Sequence, residues 1–128
     1  MYSLNVFSTI NVLHVALPVL KKNRGSIVTI GAQAVIHPVT GRAAYASSKS
    51  AVVALTQAIA EEGRAFGVRA NVILPSIIRT EANLAWATPE ESAGWPTPED
   101  IARTIADLID PASAVSGAVI PMFGTIPY

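Results

Sequence analysis

The 128-residue chain has no cysteine, so disulfides and thiolate metal sites are excluded and nothing marks the redox compartment. Charge is scarce: Asp, Glu, Lys and Arg make up 14% of residues and sum to zero at pH 7. No basic stripe speaks for nucleic acid. Aromatics are only 6% of the chain. Two histidines, His14 and His37, stand far apart without a carboxylate pattern, which argues against a metal site. Met1-Tyr2-Ser3-Leu4 lacks the basic start of a signal peptide, and no apolar run is expected to reach spanning length. A cytoplasmic protein with no nucleic-acid or membrane partner is the expectation. Eight glycines are scattered, and none falls in a G-x-x-x-G-x-G run, the turn whose amides hold a dinucleotide pyrophosphate.

Hydrophobic residues, by contrast, reach 51%, which suits one domain (1–128) whose elements are buried on more than one side. Residues 2–22 read as a helix, with Phe7, Ile10, Leu13, Leu17 and Leu20 at spacings of three and four. Asn23-Arg24-Gly25 supplies its stop, and Lys21-Lys22-Arg24 suits its C-terminal turn. Residues 26–31 read as a buried strand and 32–42 as a loop. A long helix follows over 43–66, with an Ala51-Ala54-Ala58 stripe beside an apolar face of Val52, Leu55 and Ile59. Residues 68–74 form the next strand, ended by Pro75. Thr97-Pro98-Glu99-Asp100 is a helix start with Thr as N-cap, Pro at N1 and Asp in the capping-box position. That helix runs to about Ile109, and Val115 to Pro121 makes a last strand. Within 81–96, Trp86 and Trp95 are as suited to plugging the core as to touching a ligand. The pattern predicts three parallel strands with helices on both faces. The edge of the strand 26–31 would then need a partner.

The chemistry sits in Tyr45-Ala46-Ser47-Ser48-Lys49. Four residues apart on a helix, Tyr45 and Lys49 share a face. A phenol releases its proton near pH ~10 in isolation. An ammonium beside it favours the phenolate, which makes such a pair suited to general acid–base work. As an isolated Y-x-x-x-K this would be an ordinary helix-surface pair; the strand-like runs before and after the helix shift the odds.

With those runs, the chain resembles the short-chain dehydrogenase/reductase family, specifically its C-terminal half, from Asn5 to about Gly124. The resemblance implies a partial Rossmann-like doubly wound α/β fold without the N-terminal nucleotide-binding half. It implies NAD(P)-dependent hydride exchange with a small carbonyl or alcohol, by a chain inactive alone. Tyr45 would be the proton donor or acceptor, and Lys49 would modulate it and bind the ribose of NAD or NADP. Asn5, thirteen places before Pro18, matches the family's relay asparagine; on residues alone it reads as a polar group at a helix N-terminus. Pro75 to Thr80 matches the P-G-x-x-x-T loop, where Ile78 and Thr80 would meet the nicotinamide carboxamide, with Ser76 in the glycine position. Ala32 stands where the family has a catalytic Ser, and Thr29 is expected to point elsewhere, which leaves Gln33 as the nearest donor. The helices 2–22 and 43–66 would form a homodimer interface. The alternative is a non-catalytic, truncated relative that acts in dimerisation or binding.

Overall fold

The computed structural model describes residues 1–125. Helix α1 (Ser8–Asn23) continues a π-helical turn, Ser3–Phe7. The wide turn has a local cause: the Ser8 and Thr9 hydroxyls donate to the Leu4 and Asn5 carbonyls and compete with the α-helical ladder. Lys21 and Lys22 lie in the last turn, and Arg24, at φ 52°, closes it in the left-handed region.

Strand β1 (Ser26–Ile30) leads through a 3-10 turn (Gln33–Val35) to α2 (Ala43–Gly63), which ends in a second 3-10 turn, Arg64–Phe66. Strand β2 (Arg69–Pro75) follows, with Pro75 as its last residue. The segment after it holds two single-turn helices, α3 (Glu81–Leu84) and α4 (Pro89–Ser92), each started by a threonine cap. Helix α5 (Pro98–Ile109) has the expected Thr97–Asp100 capping box with Pro at its first turn. Strand β3 (Val119–Met122) is shorter than expected and starts later. Residues 115–118 run beside β2, but the buried Asn71 side chain takes ladder positions there: it donates to Val115 O (2.9 Å) and accepts from Ala118 N (3.0 Å).

The sheet is parallel in the order β1-β2-β3, with Ile30 opposite Ile73 and Ile73 opposite Ile120. It lies between two helical layers. Ala70, Val72 and Leu74 face α1, α2 and the 3-10 turn Gln33–Val35, and Ile73 faces α5 through Ile101 and Leu108. Phe123 is held on the first of these faces, and Gly124 (φ 66°) turns the chain so close to the Gly94 carbonyl that no β-carbon fits.

Two expectations need correction. β1 is half-buried rather than buried, and Ile30 is 39% exposed, because among the described residues β1 has a strand on one side only. The helix Ser3–Asn23, 21 residues long, contains an 18-residue window of mean hydropathy 1.5 and is long and apolar enough to cross a membrane by length and composition. Asn5, Ser8, Asn11 and His14 interrupt every apolar run, but the average over that 18-residue window stays apolar.

Candidate active site

The ends of β1 and β2, and the first turns of α2, bring the expected residues to the carboxyl edge of the sheet, where open α/β folds bind ligands. Tyr45 and Lys49 lie on consecutive turns of α2, both half-buried. The Lys49 ammonium donates to Ile30 O at 3.1 Å. That acceptor is specific to an unpaired edge. Gly25 O bonds Arg69 N and Gly31 N bonds Ile73 O, so the odd residues of β1 face β2 and the even ones, Ile30 included, face outward. Burial lowers the Lys49 pKa from its ordinary value.

Asn5 is tied to the same helix. Its amide donates to Ser48 Oγ (3.0 Å), and the fully buried Ser48 hydroxyl donates to Tyr45 O (2.8 Å). Tyr2 adds a bond to Ser47 at 2.7 Å. Ser48 is the residue that sequence reasoning missed. Its signal was present, a hydroxyl three places after Tyr45 on the helix face turned inward, but its partner lies 43 residues away. Asn5, Ile30 and Lys49 together line a groove of about 270 Å³ along β1. Tyr45, Ile78 and Thr80 do not line it.

At the end of β2, Ser76 donates to Phe123 O (3.1 Å), and its φ lies outside the left-handed region, so a side chain is accommodated there. Ile78 O accepts from Asn83 Nδ2 (2.8 Å), whereas the Ile78 N–H has no partner among the described residues. Thr80 caps α3 by accepting from Asn83 N. A free N–H beside a hydroxyl fits a carboxamide, with one acceptor and one donor edge. Ala32 is buried in an extended conformation and carries only a methyl. Thr29 cannot replace it, because its hydroxyl shares a hydrogen bond with Thr56 at 2.6 Å. Gln33 is half-exposed, and its amide makes no hydrogen bond among the described residues. Of the two tryptophans, Trp95 is buried and Trp86 is exposed.

The sequence profile of the family described as short chain dehydrogenase matches residues 1–91. The chain belongs to the short-chain dehydrogenase family. It is 36% identical over 120 residues to the meso-2,3-butanediol dehydrogenase of Serratia marcescens, a match that covers 85% of this chain and 47% of that one. The structure of a short-chain type dehydrogenase/reductase from Mycobacterium ulcerans superposes with a TM-score of 0.86 at 34% identity, covering 96% of this chain and 49% of that one. A 4-hydroxyisoleucine dehydrogenase complexed with NADH superposes at 0.80 and 28% identity, covering 96% of this chain and 56% of that one. The chain spans about half the length of the curated relatives it matches.

Proposed function

We propose that this chain is the catalytic half of an NAD(P)-dependent oxidoreductase that interconverts a small carbonyl compound and its alcohol, inactive by itself. The observation that carries this reading is Lys49, fixed on the outward carbonyl of Ile30, one turn from Tyr45 and in one groove with Asn5. NAD or NADP, when bound, supplies or accepts the hydride. Tyr45 passes a proton to or from the substrate oxygen. Lys49 spends one donor on Ile30 O and keeps two for a ribose hydroxyl. Asn5 and Ser48 lock the first helical turn onto α2, with Asn5 in the relay role. The Ile78 N–H and the Thr80 hydroxyl, after Pro75, take the carboxamide. The protein acts in the cytoplasm as a homodimer through α1 and α2, whose apolar faces are covered by protein rather than lipid. The support is a groove of about 440 Å³ between the two helices, walled by Ile10, Leu17, Leu55 and Ala58.

A second reading, a non-catalytic relative used for binding or dimerisation, is favoured by Ala32, which offers nothing to polarise a carbonyl. A hybrid in which this chain replaces the matching stretch of the Serratia enzyme separates the two. NADH binding by the hybrid reports that the fold is complete. Carbonyl reduction should then fall by about 10² or more in Tyr45→Phe with NADH binding intact. Ala32→Ser should raise the rate by about 10²–10³ if no other donor serves. A hybrid that binds NADH yet shows no Tyr45-dependent turnover, even with Ala32→Ser, would establish the non-catalytic reading.

A further inference from the structure

The segment between the Pro75–Thr80 loop and α5 carries both tryptophans of the chain. Their ring centroids are 5.4 Å apart at a 45° tilt, yet Trp95 is 6% exposed and Trp86 62% exposed. Trp86 thus rests on a buried partner and keeps most of its own surface in solvent, the most exposed aromatic ring among the described residues. Caps fix its position on either side: Thr80 starts α3 before it, and the Thr88–Glu91 box starts α4 after it. The two rings, with Ile77, Ala93 and Gly94, wall a cavity of about 700 Å³.

Its charge is one-sided. Glu90 and Glu91 stand on the cavity, and among the described residues no Lys, Arg or His lines it. Glu91 accepts from Thr88 N (2.9 Å) through one carboxylate oxygen. The Glu90 carboxylate has neither a hydrogen bond nor an ion pair among the described residues. An anion would be repelled here, and a neutral apolar ligand would cover Glu90 without neutralising it. A bare metal ion would find aromatic walls instead of an oxygen cage. A cation carried on an apolar body meets both features at once: the indole face attracts it through the ring quadrupole, and Glu90 supplies the counter-charge.

We propose that the Trp86–Trp95 hollow binds a small organic cation bearing a quaternary or protonated amine. Ile77 joins the hollow to Ile78, so such a ligand lies next to the loop assigned above to the cofactor. The binding does not depend on that assignment.

Tryptophan emission of the full chain reads this site alone, since Trp86 and Trp95 are the two tryptophans present. Choline chloride should change it saturably against a sodium chloride control of equal ionic strength. The neutral isostere of choline, with carbon in place of nitrogen, should bind about three- to tenfold more weakly. Glu90→Gln should weaken choline several-fold. Trp86→Leu should remove the saturable binding, followed by calorimetry, while the far-ultraviolet circular dichroism of this exposed-site variant stays unchanged. A response that does not saturate, equal affinity for the isostere, or binding untouched in both variants would overturn the proposal. Failure of the Tyr45→Phe test in the hybrid would bear on the oxidoreductase reading and leave this titration as it is.

Discussion

β1 and β2 are composed alike, as short runs rich in valine and isoleucine, yet they end in different surroundings. In β2, Ala70, Val72, Ile73 and Leu74 are fully enclosed, with a strand on each side and helices above and below. In β1 every residue keeps some exposure, and the outward backbone carbonyl of Ile30 is met by the Lys49 ammonium. Composition therefore sets that a segment is a strand, and its neighbours set how deeply it lies. The difference also bears on chemistry. The finished side of the molecule, around β2 and α5, holds the fold together, while the open side holds Asn5 and Lys49.

The largest test of that contrast is a pair of truncations. Ile73→Ala should cost about 3–4 kcal/mol, because a fully enclosed side chain leaves a cavity behind. Ile30→Ala, at a 39% exposed site, should cost about 1 kcal/mol or less. Denaturant titration of both variants measures the difference, and equal losses would break the comparison.

A smaller effect concerns the helices on the open side. Val52, Ile59 and Ala60 of α2 are buried, whereas Ala54 and Ala58 of its small-residue stripe are exposed. Ala58→Arg should leave the unfolding free energy of the single chain within about 0.5 kcal/mol. It should weaken self-association by about tenfold or more if two copies meet there. Sedimentation of both proteins over a concentration series decides it, and unchanged association would remove α2 from the interface.

The smallest is a pH effect. Burial lowers the folded Lys49 pKa below the ordinary lysine value, so just under that value the unfolded chain binds more protons. Stability should therefore rise as pH climbs from the folded pKa to the unfolded one, and the penalty is fully present below both. Lys49→Met should flatten this part of the melting-temperature profile. A slope that persists unchanged in the variant would place its origin in another group.

What was legible in the sequence was mostly local. The Thr97–Asp100 capping box is written in four adjacent residues and formed as read. The Tyr45–Lys49 spacing is likewise local, and α2 starts where it was expected. The three parallel strands followed from their bounded apolar runs. What was not legible needed a distant partner. The late start of β3 depends on the Asn71 side chain, 47 residues from Ala118. The tie from Asn5 to Ser48, the Ile30 acceptor for Lys49, and the unequal fates of Trp86 and Trp95 are all tertiary choices. The exposure of β1 was half legible: the order of elements left its edge in need of a partner, whereas the run Ser26–Ile30 by itself read as buried.

Hydrogen exchange resolved by residue tests the contrast between the two strands most directly. The account predicts that the β2 amides, together with those of Ile27 and Thr29, exchange slowly, near the limit set by global unfolding. The outward amides of Val28 and Ile30 should exchange much faster. Protection of Val28 and Ile30 equal to that of β2 would contradict it, since the outer edge of β1 would then be paired.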